Sequence, residues 1–310
     1  MNMSLPGVNS INLLNNLLDI YNNQLKLKPC CSIEFEFYVK DIDNKEFLDD
    51  IANFAHNRGI KIHDIAIEAS NNQFEIAMKH SFDIPQLVKH YLMLKTIMMD
   101  LAKTYKLELN FTGKPFGDDF HGNGMHIHIS LYNNDLNNVY CKEEGRESKL
   151  LLYSVAGLLE YINAGLIFMN EEESDFSRYK PNINIDTSKK RYVCSSSYAP
   201  THICWGKNNR TVAIRIPDSV YDPDNRHIEY RVAVPNADPN MVLFTLLLQI
   251  KIGIEQALVP SEPIHGNAFD KQYNLEKIIS NASDALACYE ESDLKGYIES
   301  YTNSHLKSGS

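Results

Sequence analysis

Paired cysteines are missing from this chain. Its six cysteines (Cys30, Cys31, Cys141, Cys194, Cys204 and Cys288) are scattered, and no C-x-x-C spacing occurs. That argues against a zinc site or a disulfide framework and fits reduced thiols. Adjacent Cys30 and Cys31 read as two small residues leading into a strand. A basic surplus is missing too. Forty Asp and Glu against 30 Lys and Arg leave a formal charge of -10, which argues against a generic binder of nucleic acid or anionic membrane. The N-terminus, Met-Asn-Met-Ser-Leu-Pro-Gly, lacks the basic-then-apolar pattern of a secretory signal. No apolar run is long and uncharged enough to span a bilayer. Residues 150–169 carry Glu160 and Asn163, and residues 241–259 carry Gln249, Lys251 and Glu255. The expectation is a cytoplasmic protein with neither membrane nor nucleic acid as partner. Neither G-x-x-x-x-G-K-[ST] nor G-x-G-x-x-G occurs, so any bound phosphate is held by other means than a P-loop. No period of 20–50 residues repeats, which excludes a solenoid.

What is present is an ordinary globular composition, 44% hydrophobic and 23% charged. We expect one α+β domain over 1–310, with a core at 10–266 and a helical tail at 267–310. Helical spacing of apolar residues covers 11–25, 47–57, 84–105, 148–168 and 239–258, with a polar helical tail at 274–304. The third of these helices starts after the Asp83 cap and Pro85. Strands are expected at 32–39, in a hairpin from 60 to 77, and at 107–112. More follow through the His126 segment to a turn at Asn133-Asn134, and around 191–193, 201–206, 210–216 and 227–234.

Several of these strands carry acids and histidines, which are poor strand formers. Alternation puts Ile33, Phe35, Phe37 and Val39 on one face of the first strand, and Glu34, Glu36 and Tyr38 on the other. The two carboxylates then point the same way, about 7 Å apart. In the hairpin, Asn71-Asn72 suits a two-residue type I′ turn. That register sets Ser70 against Gln73, Ala69 against Phe74 and Glu68 directly against Glu75. Like charges directly opposed need a cation, or a raised pKa on one partner. His126, His128 and Ser130 share a face after Gly122-Asn-Gly124, where the glycines let backbone approach a ligand closely. Glu229 and Arg231 share another, as a salt bridge or as a metal ligand beside an anion clamp. A mostly carboxylate set with one imidazole suits Mg²⁺ or Mn²⁺ better than Zn²⁺. With arginines beside it, such a set suits phosphoryl transfer.

Together the segments Glu34-x-Glu36-Phe-Tyr, Glu68…Gln-Phe-Glu75, Lys114-Pro-Phe…Gly-Asn-Gly-Met-His126-x-His128-x-Ser130, Asn209-Arg210-Thr…Ile-Arg215-Ile-Pro and Ile-Glu229-Tyr-Arg231…Asp238-Pro resemble the catalytic domain of the glutamine synthetase family. The resemblance runs from about Ile11 to Gly266, and weakly beyond. It implies a curved, mainly antiparallel sheet backed by helices. It further implies that Glu36, Glu68 and Glu75 hold one Mg²⁺ or Mn²⁺, and that Glu34, His126 and Glu229 hold a second on the ATP phosphates. Arg210, Arg231 and Glu229 are then the catalytic set. Arg210 and Arg215 fall at phosphate positions, and Arg231 falls where the substrate carboxylate and acyl phosphate are held. Gly122 matches a backbone contact to glutamate, and His128 and Ser130 match nucleotide-side positions. Arg191 takes the substrate-carboxylate position if one residue is inserted between Val193 and Ala199. The implied chemistry is ATP-dependent activation of glutamate for attack by an amine.

The sequence also departs from the family. The chain starts where a β-rich domain of the family normally ends, so a homo-oligomer, or a partner subunit that supplies that domain, is expected. Ser197-Tyr198-Ala-Pro stands where an ammonia-using enzyme has Tyr-Glu-Ala-Pro. It sits nearer the branch that joins glutamate to larger amines. His80 and His227 replace an aromatic residue and an arginine at nucleotide-side positions. The alternative is a degenerate, non-catalytic paralogue that binds nucleotide or metal, or regulates a partner.

Overall fold

The computed structural model describes residues 9–40, 46–68, 70–116, 120–142, 144–180, 199–219 and 223–306. Its axis is the strand Leu27–Lys40 (β1), whose alternating aromatic and aliphatic residues suit a strand with one fully buried face. Ile33, Phe35, Phe37 and Val39 are 0% exposed. Phe35 meets Tyr91 of the helix Ile84–Tyr105 (α3), which follows Ser10–Ile20 (α1) and Glu46–Asn57 (α2), edge-on with ring centroids 5.0 Å apart. That helix begins as expected, with the Asp83 side chain accepting from the Gln86 N–H and proline in the first turn.

Around β1 the sheet adds Ile62–Ile67 (β2), Gln73–Met78 (β3), Glu108–Asn110 (β4), Met125–Asn133 (β5), Trp205–Lys207 (β6), Ile214–Ile216 (β7) and Ile228–Tyr230 (β8). The order is β2-β3-β1-β5-β8-β7-β6, with β4 pairing the far end of β1. All pairings are antiparallel except β6 with β7. It is a mixed, mainly antiparallel sheet backed by helices, as expected. The strands around 201–216 and 227–234 are shorter than expected, and the one at 191–193 lies outside the described residues.

The hairpin differs from its expected register. Ala66 stands opposite Glu75 and Ile67 opposite Phe74, and the Glu68 N–H donates to the Gln73 carbonyl. Glu68 is therefore not opposite Glu75 but one rung further towards the turn. Asn72 has φ 62°, while Asn71 is not among the positive-φ residues. A type I′ turn needs both, so the connection is a longer loop. The two-residue shift keeps Glu68 on the same face as Glu75.

The expected helix 148–168 is broken. Lys149–Glu160 (α4) and Ile162–Met169 (α5) meet at a 73° bend. Tyr161 leaves helical geometry there, and its carbonyl accepts from Gln249 Nε2 at 3.2 Å. Gln249 belongs to Pro239–Glu255 (α6), which is buried almost all round. α4 and α6 touch through glycines, since a Cβ on Gly253 would lie 2.2 Å from the Tyr153 carbonyl. Among the described residues no single helix is long and apolar enough to cross a membrane; the bent pair passes by length and composition alone. In this fold Leu151, Val155, Leu158 and Leu166 of that pair are 0% exposed. The tail forms two helices, Ala282–Glu291 (α7) and Asp293–Leu306 (α8). Tyr289 packs edge-on against Phe168 of α5, and Tyr301 against Phe244 of α6.

Candidate active site

The other face of β1 carries Glu34, Glu36 and Tyr38, and the register fixes their neighbours. Glu36 stands opposite Glu75 of β3, and Glu34 opposite His126 of β5. One rung along, His128 stands opposite Glu229 of β8, and Glu229 opposite Arg215 of β7. Five strands thus contribute charged side chains to one side of the sheet. A cavity of about 400 Å³ is lined by Glu34, Glu36, Glu68, Glu75, His126, His128, Arg210, Arg215, Glu229 and Arg231.

Two groups of ligand atoms in it lie within 4.8 Å of one another: Glu36 with Glu68 and Glu75, and Glu34 with Glu75 and His126. Glu229 stands at the edge of the second group, with Oε1 3.9 Å from His126 Nδ1. Its carboxylate is held by Arg215 Nη1 at 2.6 Å and Arg231 Nε at 3.2 Å. Both ring nitrogens of His126 are buried without a hydrogen-bond partner, although Glu34 and Glu36 oxygens lie 3.6 and 3.8 Å away.

The protonation pattern follows from this crowding. Burial, a hydrogen bond to Glu34 and the charges of Glu34, Glu36 and Glu68 push Glu75 far above the usual carboxylate range. Burial also raises Glu36. Glu34 feels the same burial, but the nearby His126, the hydrogen bond with His128 and the Glu75 carboxyl outweigh it and hold it well below that range. Burial acts against the Glu229 carboxylate as well, yet Arg231, His128, His126 and Arg215 bring it down to about 2. His128 loses to burial and gains more from Glu34, whose Oε2 lies 2.9 Å from its Nε2, so it is raised.

At the other end of β5, Ser130 Oγ donates to the Arg226 carbonyl at 3.2 Å. The rings of His80, His128 and His227 form a triangle with centroids 5.1 to 6.1 Å apart. His227 Nδ1 donates to the Asn225 carbonyl, which leaves Nε2 to face outward from that bond. Arg210 lines the cavity, and its carbonyl accepts from Arg231 Nη1 at 2.5 Å.

A second cavity of about 10 Å³, room for one water-sized group, adjoins the first through Glu36 and Glu68 and is walled by Gln73, His121, Gly122, Arg178 and Ala199. Sequence reasoning singled out Gly122 as a backbone contact to glutamate and did not single out Arg178. This arginine is 4% exposed. Its Nη1 donates to the carbonyls of Arg231 and Val232, both at 3.1 Å, while its Nε is buried without a partner. Gly124 leaves room for it: a Cβ there would lie 2.6 Å from both Arg178 Nη2 and His126 Nε2. Arg178 sits in a 3₁₀ turn, Glu173–Tyr179, inside a stretch that reads only as polar loop. Its one signal is an arginine between Phe176 and Tyr179. Gln73 and Asn123 were also missed. Gln73 Nε2 donates to the Gly122 carbonyl at 3.1 Å and to Asn123 Oδ1 at 3.2 Å, fixing the glycine segment against β3. Arg191, Ser197 and Tyr198 lie outside the described residues.

Known proteins share this arrangement of chain. Residues 33–298 match the family model for the glutamine synthetase catalytic domain. Gamma-glutamylputrescine synthetase PuuA of Escherichia coli is 32% identical over 265 residues, covering 84% of this chain and 52% of its own length. Glutamine synthetase of Pyrococcus furiosus is 28% identical over 244 residues, covering 76% of this chain and 51% of its own. The chain thus spans about half the length of the curated relatives it matches. Among solved structures, a GmaS/ADP complex superposes with a TM-score of 0.79 at 19% identity, over 93% of this chain and 69% of that one, a likeness of fold. By its family match over most of its length, the chain belongs to the glutamine synthetase family, of which it carries the catalytic domain.

Proposed function

We propose that the chain joins glutamate to an amine at the expense of ATP, with Mg²⁺ or Mn²⁺ bound among its strand carboxylates. The observation that carries this is the convergence of five glutamates, two histidines and three arginines from separate strands and loops on one cavity. Such a set has no packing rationale and a clear chemical one. Carboxylate oxygens with a single imidazole fit hard divalent ions, and the unpartnered nitrogens of His126 are donors in waiting. Glu36, Glu68 and Glu75 would hold one ion. Glu34 and His126, with Glu229 or Glu75, would hold the other. Bound there, the ions supply positive charge to the polyphosphate.

The protein's own residues do the rest. Arg210 and Arg215 border the cavity beside Glu229 and neutralise charge on the phosphoryl group in flight. Arg231, fixed by Glu229 and the Arg210 carbonyl, faces the same group. We assign the substrate's α-carboxylate to Arg178, whose guanidinium is pre-aimed by two backbone carbonyls next to Gly122. The γ-carboxylate oxygen of glutamate attacks the terminal phosphorus of ATP and ADP leaves. The amine then attacks the acyl carbon, phosphate leaves, and the nitrogen gives up a proton. His128, Ser130, His80 and His227 border the nucleotide. The similarity to a gamma-glutamylputrescine synthetase supports an amine larger than ammonia.

The test is phosphate release from ATP and glutamate across a panel of amines with ammonia included. Release that depends on glutamate, an amine and Mn²⁺ together supports the ligase. No release with any amine, alongside measurable binding of ATP, leaves the non-catalytic paralogue.

A further inference from the structure

The acceptor amine is what the metal cluster leaves open, and β1 continues past that cluster. The next residue on the face of Glu34 and Glu36 is Tyr38. Phe116 and Phe120 pack on its ring, with centroids at 5.0 and 6.4 Å, and on each other at 5.2 Å. Tyr38 is 2% exposed beneath them, whereas Phe116 and Phe120 are each 40% exposed. Two neighbouring phenylalanines left this open to water are a surface that a ligand would cover.

The pair is fixed in place by polar contacts around it. Lys114 Nζ donates to the Phe120 carbonyl at 2.6 Å. Tyr38 Oη donates to the His121 carbonyl at 2.8 Å, and the His121 N–H donates to Ser70 Oγ at 3.1 Å. The two residues that follow Phe120, His121 and Gly122, are walls of the small cavity, together with Glu36, Glu68 and Arg178. One short segment therefore presents aromatic faces at one end and the lining of an acid-bearing cavity at the other. That pairing complements a molecule with an amino head and an apolar stem: acids attract the ammonium form, and rings bury methylenes. Ammonia has nothing to offer the rings.

We propose that Phe116 and Phe120, backed by Tyr38, form the wall that receives the alkyl chain of the acceptor, which is a primary alkylamine of several carbons. This rests on the ligase assignment of the same site. The aromatic wall sets chain-length selectivity, and the acids act on the head.

The full chain with Mn²⁺, ATP and glutamate is assayed with ammonia, ethylamine and butylamine. The expected result is a kcat/KM that rises with chain length. Phe116→Ala and Phe120→Ala should each lower the ratio of butylamine to ammonia kcat/KM about tenfold, through KM. Phe54→Ala removes an equally exposed phenylalanine, 40% open, from the helix Glu46–Asn57, and should leave that ratio as it is. An unchanged ratio in both site variants overturns the wall. Titration of butylamine into the Mn²⁺- and ATP-loaded protein makes the same comparison without turnover. If no amine is turned over, the ligase assignment fails, and the wall is still decided by binding. Butylamine binding that weakens about tenfold in Phe116→Ala supports it, and equal binding or none overturns it.

Discussion

Glu36 and Glu75 stand directly opposite each other on neighbouring antiparallel strands, and Glu36 is only 8% exposed. Two carboxylates in that position repel unless a proton or a cation lies between them. Without metal the proton wins, because burial and the charges of Glu34, Glu36 and Glu68 hold Glu75 far above its ordinary value of 4.5. A carboxyl raised in this way favours the fold most below that ordinary value, and the favour fades as pH rises towards its folded pKa. A divalent ion must expel the proton to bind. We therefore expect Mn²⁺ to release about one proton at neutral pH, with affinity rising about tenfold per pH unit while Glu75 is protonated. Calorimetry in buffers of different ionisation enthalpy reads both, and a pH-independent affinity without proton release removes the ion from this pair.

Replacing Glu75 by Gln separates the two roles. The metal-free chain should gain stability at neutral pH, because the amide is neutral without the proton that Glu75 must take up on folding. Mn²⁺ affinity should fall at least tenfold, since Glu75 belongs to both clusters of ligand atoms. Urea unfolding with and without Mn²⁺ checks the two effects on one sample.

The face carrying these acids was legible because strand alternation is local: Ile33, Phe35 and Phe37 point one way and Glu34 and Glu36 the other. The pairing across the hairpin was not. Asn71-Asn72 admits a tight turn, but a two-residue shift leaves every side chain on its own face, so alternation does not choose between the two registers. The opposed glutamates were real, with Glu36 in place of Glu68. The bend at Tyr161 was hidden for a similar reason. The partner of the freed Tyr161 carbonyl, Gln249, is 88 residues away. Arg178 was hidden because a single 3₁₀ turn has no periodicity to read, and its partners are carbonyls of a distant segment.

Glu229 is the counter-ion of two arginines that are themselves buried, with Arg231 side-chain exposure at 4% and Arg215 at 15%. Glu229→Gln keeps the shape and removes the charge. It leaves Arg231 without its compensating carboxylate, so the expected loss is about 3–5 kcal/mol of stability. Denaturant unfolding of the metal-free chain measures it. A loss under 1 kcal/mol would mean that water already screens the trio.

Gly124 tests crowding without removing a functional group. Its added Cβ would lie 2.6 Å from His126 Nε2 and Arg178 Nη2, and both side chains can swing aside at their ends. Gly124→Ala should cost about 1–3 kcal/mol of stability, the range for overpacking a filled site. Its larger effect should be on Mn²⁺ affinity, because His126 is turned from the carboxylates. If Mn²⁺ affinity is unchanged, His126 is not a ligand.

Arg178 decides where glutamate is held. A guanidinium can keep two carbonyls on Nη1 and still offer Nε and Nη2 to a carboxylate, whereas a lysine ammonium offers one point charge. Arg178→Lys preserves the charge beside Glu36 and loses the fork. We expect ATP and Mn²⁺ to bind as before, because neither cluster of ligand atoms includes this residue. The KM for glutamate should rise by about tenfold or more, as it does when one arm of a charged bidentate contact is lost, with a smaller change in kcat. If glutamate KM is untouched while ATP binding weakens, the small cavity does not take the amino acid, and the α-carboxylate must be sought at Arg231 instead.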